Sequence, residues 1–156
     1  MASSVLFVCL GNICRSPLAE AAFRAEAERL GLDIRVDSAG TGDWHVGRPP
    51  DPRAVAVAKR QGIDISHLRA RQATPQDFDR FDHIVALDAD NLADLETMRP
   101  EGGRARVSLL LDHVPGREGE AVADPYYGGA DHFDLAWADV AQGARGLARK
   151  LEKGTE

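Results

Sequence analysis

Apolar and polar positions along this chain switch between two periods. Residues 5–8 (V-L-F-V) form a short continuous apolar run, long enough for a buried strand and too short for a helix. Ala19, Phe23, Ala27 and Leu30 then recur at steps of four and three, which predicts one face of a helix, with Gly31 as its stop. Residues 34–38 read as a second strand, 84–87 as a short buried third and 107–111 as a fourth. Helical signals lie between them. Asp51 is placed as a cap with Pro52 in the first turn of a helix ending near Gly62. Thr74-Pro75-Gln76-Asp77 reads as another helix start, and residues 88–98 as a further helix. Residues 40–50, rich in glycine and proline, and residues 112–132 show no period and predict loops. Phe133, Trp137, Val140, Ala144, Leu147 and Leu151 form a stripe on a long last helix, which assigns all six to the core. Strand followed by helix, repeated, predicts an α/β fold: an open parallel four-stranded sheet flanked by helices on both faces, in three layers. Ligands of such sheets bind beyond the carboxyl ends of the strands. No repeat, linker or low-complexity segment interrupts the pattern, and 156 residues suit a single domain, 1–156, with a proper core.

Composition narrows the function classes. Hydrophobic residues make 44% and charged residues 28%, the balance of an ordinary globular protein. A net charge of -6 argues against a nucleic-acid binder that neutralises backbone phosphates, although a local site can still hold a phosphate in its own field. No apolar run approaches a membrane span. Met1-Ala2-Ser3-Ser4 leads directly into the first strand and leaves no room for a signal peptide. Two cysteines five apart suit a reducing cytoplasm better than a disulfide scaffold, so the expected location is cytoplasmic. No His, Cys and carboxylate grouping has ligand spacing, and neither a metal nor another cofactor is expected.

The candidate chemistry begins where the first strand ends. Residues 5–16 read V-L-F-V-C-L-G-N-I-C-R-S. Cys9 is held rigidly by the strand, and Gly11 and Asn12 tolerate the backbone angles of a tight loop. A helix is expected to start at Ser16-Pro17, since proline suits the first helical position. The loop amides and the helix N-terminus then form an anion cradle. Arg15 adds a planar fork that can hold two phosphate oxygens at once, and the same positive field favours a thiolate at Cys9. A cysteine after such a strand is more often a small buried hydrophobe. The setting between a strand and a capped helix is what favours a nucleophile.

The segment C-L-G-N-I-C-R-S-P-L-A-E at residues 9–20 closely resembles the low-molecular-weight protein tyrosine phosphatases. So do D-S-A-G-T at 37–41, D-W-H-V-G-R-P-P-D-P-R-A at 43–54 and D-P-Y-Y-G at 124–128, in the family's order across nearly the whole chain. The resemblance implies one low-molecular-weight phosphotyrosine phosphatase domain that hydrolyses phosphotyrosine and aryl phosphate monoesters through a phosphocysteine intermediate. It implies Cys9 as nucleophile, and Arg15 with the amides of Leu10, Gly11, Asn12, Ile13 and Cys14 as the phosphate cradle. Asp124 becomes the general acid and then base, although an Asp-Pro pair is ordinarily only a turn opener. Trp44, Tyr126 and Tyr127 become walls of a deep slot that selects phosphotyrosine over the shorter phosphoserine. Ser16 is placed to donate to the Cys9 sulfur. Asn12, Ser38 and His67 resemble the family's supporting hydrogen-bond network. Cys14 has two readings: it fills the loop, or it traps an oxidised Cys9 as a disulfide, which the resemblance favours. The implied partners are phosphotyrosine-containing proteins, with inorganic phosphate and similar oxyanions as inhibitors.

Two rival readings draw on the same residues. An arsenate reductase on this scaffold needs further cysteines to pass a disulfide outward, and the chain has only Cys9 and Cys14. A non-catalytic phosphotyrosine- or anion-binding module would be favoured had Cys9 or Asp124 been replaced, and both are present.

Overall fold

The computed structural model describes residues 3–154, so the outermost positions of the predicted 1–156 domain, Met1 and Ala2 included, lie outside the described residues. Four parallel strands form one sheet: β1 (Ser3–Cys9), β2 (Ile34–Gly40), β3 (His83–Ala86) and β4 (Arg106–Leu109), in the order β2-β1-β3-β4. The helices are α1 (Arg15–Arg29), α2 (Pro52–Arg60), the short α3 (Asp77–Arg80), α4 (Ala89–Met98) and α5 (Ala130–Glu152).

β1 is central, and its side chains alternate between two cores. Val5, Phe7 and Cys9 point into a core shared with α1, α2 and α5, while Leu6 and Val8 point into one shared with α3 and α4. Covered faces on both sides explain why the strand reads as a continuous apolar run rather than an alternating one. Each large apolar side chain buried in this way contributes about 1.5–3 kcal/mol. Phe7 and Phe23 of α1 meet with ring centres 5.6 Å apart and anchor that helix to the strand.

Several boundaries shift by a few residues from the sequence expectation, and two of these shifts and one burial assignment bear on the site and the core. α1 begins at Arg15, one residue before Ser16, so Arg15 itself is the first helical residue. The fourth strand stops at Leu109, because its partner β3 ends at Ala86 and offers no further pairing. Leu110 and Leu111 instead enter a 3-10 turn, Leu110–His113. Of the six stripe residues on α5 expected in the core, Trp137 and Leu151 are only half-buried, Trp137 at the edge of the stripe with Ala136 enclosed beside it and Leu151 in the last turn of the helix.

The topology sets the site. The chain passes from β1 to β2 on one side, and the connection after β2 crosses back past β1 to β3 on the other, so the carboxyl ends of β1 and β3 flank the point where the strand order reverses. Cys9 ends β1, and Asp88 follows β3 as the cap of α4, accepting from the Asn91 amide at 2.7 Å. The Val122 amide donates to Leu87 O at 2.8 Å, which hooks the long loop before α5 onto this same edge.

Candidate active site

The loop from Cys9 to Arg15 is held from outside through its carbonyls. Thr41 N donates to Cys9 O and Gly42 N to Leu10 O, both at 2.9 Å, and Asp51 N donates to Ile13 O at 2.8 Å. The amides of Gly11, Asn12, Ile13 and Cys14 donate to no protein acceptor among the described residues. Carbonyls tied to flanking segments beside amides that face the cavity are an arrangement suited to holding an anion. Gly40 permits the close approach of β2 to this loop: a side-chain carbon there would lie 2.7 Å from Leu10 O.

Asn12 adopts a left-handed backbone conformation, with φ at 58°, rare for a residue other than glycine. Its side chain supports that geometry. The Arg71 amide donates to Asn12 Oδ1 at 3.0 Å, which fixes the orientation of the side-chain amide, because a backbone N–H can only donate. Asn12 Nδ2 then donates to Ser16 Oγ at 2.8 Å and to Ser38 Oγ at 3.0 Å. Ser38 passes its own proton toward Glu20 Oε1 at 2.7 Å. Ser16 Oγ accepts from Asn12 and lies 3.0 Å from Cys9 Sγ and 3.4 Å from Ala39 O, so its O–H can turn to the sulfur or to that carbonyl. Donation thus runs outward from Asn12 along two branches, one ending at the Glu20 carboxylate and the other reaching Ser16 beside Cys9.

Asn12 and Ser38 stand in this network as the sequence suggested, and His67 does not. Its side chain is exposed and lines a separate groove with Glu20 and Arg24, whereas Glu20 receives the Ser38 hydroxyl. The geometry of α1 explains the difference. Glu20 lies one turn beyond Ser16 on the same helix face, so it projects beside Ser38, while in the turn carrying His67 the buried place belongs to Ile65. Arg24 donates to Glu20 Oε2 at 2.9 Å and compensates its buried charge.

Arg15 is only 3% exposed. Its Nη1 donates to Asp88 Oδ2 at 2.7 Å and to Val122 O at 2.9 Å, and its Nη2 lies 3.7 Å from Asp124 Oδ2. Burial alone would disfavour the guanidinium charge. Cys9 and the carboxylates of Asp88 and Asp124 more than offset that and hold Arg15 above its ordinary value. One edge of the fork is thus anchored in protein, and the cation also lines the cavity. The sequence placed Asp88 at the start of a helix, and the structure makes it that helix's cap, with the helix beginning at Ala89. The second task of Asp88, aiming Arg15, depends on the β3–α4 junction lying beside β1.

A cavity of about 390 Å³ opens over the loop and is lined by Cys9, Leu10, Gly11, Ile13, Cys14, Arg15, Trp44, His45, Asp124, Tyr126 and Tyr127. The structure thus brings the predicted nucleophile, cation, carboxylate and aromatics to one opening. Asp124 is 42% exposed at its mouth and accepts from the Tyr126 amide at 3.1 Å. Tyr126 forms wall, whereas Tyr127 is 95% exposed and meets Tyr126 edge-on at 5.0 Å, which makes it rim. Trp44, 68% exposed, stands at the rim as well. His45, which the sequence did not single out, faces Tyr126 at 6.5 Å between ring centres. Burial pushes the Cys14 thiol up, and negative charge at Asp51, Cys9 and Asp124 pushes it the same way. Among the described residues no group of three or more His, Cys, Asp or Glu could hold a metal ion, and no helix is long and apolar enough to cross a membrane.

Residues 4–156 match the family model of the low molecular weight phosphotyrosine protein phosphatases. A protein of that name from Schizosaccharomyces pombe is 52% identical over 150 residues, covering 94% of this chain and 96% of its own. The crystal structure of a protein tyrosine phosphatase from Entamoeba histolytica, with Hepes in its active site, superposes with a TM-score of 0.91 at 36% identity, covering 97% of this chain and 98% of that one. A drosophila arginine phosphatase superposes with a TM-score of 0.89 at 34% identity, covering 94% and 96%.

Proposed function

The chain belongs to the low molecular weight phosphotyrosine protein phosphatase family, and from that premise we propose that it hydrolyses phosphotyrosine and related aryl phosphate monoesters through a phosphocysteine intermediate. The observation that carries this reading is the convergence of Cys9, Arg15 and Asp124 on one cavity whose floor is a loop of unpaired amides. The Cys9 thiolate attacks phosphorus, the S–P bond forms and the P–O bond to the phenol breaks. Asp124 gives its proton to the departing phenolate. Water then attacks the phosphocysteine and yields a proton to Asp124, and inorganic phosphate leaves as the thiolate is restored. Arg15 and the amides of residues 10–15 hold the equatorial oxygens in both steps. Phosphoproteins are the substrates, and inorganic phosphate or a similar oxyanion competes for the cradle.

The arginine phosphatase among the similar structures makes phosphoarginine the competing substrate. Ile13, Trp44 and Tyr126 present apolar and aromatic surface to the cavity, which suits a flat phenyl ring and leaves a guanidinium poorly solvated. Phosphotyrosine turnover well above phosphoarginine turnover is the expected result, and the reverse order would overturn the substrate assignment.

An acid matters in proportion to the leaving group's need of a proton. Asp124→Asn is expected to slow phosphotyrosine hydrolysis by about 10²-fold or more, and hydrolysis of an aryl ester with a strongly activated phenol far less. Equal loss on both esters would reduce Asp124 to a loop residue.

Cys14 adds a redox expectation. Peroxide converts the Cys9 thiolate to a sulfenic acid, and the Cys14 thiol condenses with it, forming S–S and releasing water. Both cysteines are buried in the same core and neither is bonded to another in the resting protein. Inactivation by peroxide is therefore expected to be reversed by a thiol, with peptide mapping finding Cys9 joined to Cys14. Equal recovery of Cys14→Ala would remove the protective role.

A further inference from the structure

We propose that Arg53, which does not line the cavity, is the positioning residue that sets the acid loop over the nucleophile. The inference rests on the phosphatase reading and extends it to a residue outside the reacting groups.

The connection starts at the phosphate loop. Asp51, the cap of α2, donates its amide to Ile13 O at 2.8 Å, so this helix start is seated on the loop that holds Cys9. The Asp51 carboxylate then grips Arg53 from three sides. It accepts from the Arg53 amide at 2.8 Å, from Nε at 3.0 Å and from Nη2 at 2.9 Å. A planar fork held along one edge by a carboxylate has its remaining donors aimed in a fixed direction. Those donors reach the acid loop: Nη1 donates to Gly128 O and Nη2 to Tyr126 O, each at 2.9 Å. The guanidinium also lies over the Phe133 ring at 4.6 Å and over the Tyr126 ring at 5.7 Å. Phe133 is fully buried in the first turn of α5, which gives the cation a rigid backing.

Tyr126 joins the strut to the acid. Its carbonyl is held by Arg53, and its amide donates to Asp124 Oδ1 at 3.1 Å. The peptide groups on either side of one residue are therefore tied, on one side, to a strut rooted in the phosphate loop, and on the other to the carboxylate that serves as acid. Its ring lines the cavity. Arg53 thus acts through two groups that meet substrate, the Asp124 carboxylate and the Tyr126 wall. Lysine cannot substitute. A single ammonium offers three donors from one point and cannot span Asp51 and two carbonyls at once.

The test compares parent, Arg53→Lys, Arg53→Gln, Asp124→Asn and the double variant Arg53→Lys/Asp124→Asn. Each is assayed on phenyl phosphate, on an aryl phosphate with a strongly activated phenol, and for inhibition by inorganic phosphate. The expected result is a loss of about tenfold or more in kcat on phenyl phosphate for both Arg53 variants, well beyond their loss on the activated ester. Phosphate inhibition stays close to that of the parent, because the cradle is untouched. In the Asp124→Asn background, Arg53→Lys adds little further loss, since residues acting through one group are not additive. Partial unfolding would lower both esters equally, so the ratio between them reports positioning rather than folding. Proportional loss on both esters, full additivity with Asp124→Asn, or parent-like ratios in both Arg53 variants would each overturn the inference while leaving the phosphatase reading intact. A parent protein that turns over neither ester would instead bring down that reading, and the inference with it.

Discussion

Cys9→Ser is expected to bind inorganic phosphate nearly as the parent does and to lose turnover of every aryl phosphate by about 10⁴-fold or more. The exchange replaces sulfur by oxygen in almost the same volume, so the cradle amides, Arg15 and the Asn12 network keep their places. The chemistry is what changes. A thiol is partly ionised near neutral pH, while an alcohol is not and needs an adjacent base to become a nucleophile. The hydrogen-bonding partner of Cys9 Sγ is Ser16 Oγ at 3.0 Å, a neutral hydroxyl whose O–H can donate to an anionic sulfur. It can stabilise a thiolate and cannot take a proton from an alcohol. Steady-state assays on phosphotyrosine and calorimetric titration with phosphate read the two properties separately. Substantial residual hydrolysis would remove Cys9 from the nucleophile's role. Phosphate binding in a parent protein that never turns over would point to an anion-binding module instead.

The second large effect is expected at Arg15. Arg15→Lys should reduce kcat by about 10²–10³-fold, with a smaller change in KM. In the ground state a lysine can still place a positive charge near phosphate. As the phosphoryl group flattens in the transition state, two parallel donors from a rigid fork match its oxygens, and a point charge does not. The buried surroundings add a second penalty. Asp88 Oδ2 and Val122 O both depend on Arg15 Nη1, at 2.7 and 2.9 Å, and a shorter reach leaves one of them without a partner. An unsatisfied buried acceptor costs about 1–3 kcal/mol, so the melting temperature should fall as well. Activity measured well below that melting temperature separates the two effects. Near-parent turnover there would mean that the loop amides suffice for catalysis.

The candidate site was legible in the sequence to the extent that its parts are local. Cys9, the glycine-containing loop and Arg15 lie within one strand–loop–helix, and their spacing alone sets the nucleophile beside the cation. The α5 stripe from Phe133 to Leu147 was legible for the same reason, because helical periodicity is a local property. The readings that shifted all depended on partners distant along the chain. His67 gave way to Glu20 in the network because the direction of a side chain on a loop is set by what the loop packs against. Leu110 and Leu111 have the composition of strand residues, and only the length of β3 decides that pairing ends before them. Tyr127 and Tyr126 are adjacent and chemically alike, yet one is rim and the other wall: their rings meet edge-on, and Tyr126 is further covered by the Arg53 guanidinium, while Tyr127 is left to solvent.

By itself, then, the amino-acid order determined the alternation of strands and helices, the loop at the end of β1 and the placing of Cys9 and Arg15, the proposed nucleophile and its cation, at the two ends of that loop, because each follows from short-range backbone geometry and side-chain chemistry. Tertiary structure alone decided which carboxylate meets Arg15 as anchor and which at the cavity mouth, which buried acid ends the Asn12 network, and how Arg53 ties the two functional loops together. Those relations join segments far apart in the chain. They exist only because the parallel sheet gathers the carboxyl ends of β1 and β3 and the loop before α5 at one edge, where charged groups that no local rule could pair come within hydrogen-bonding distance.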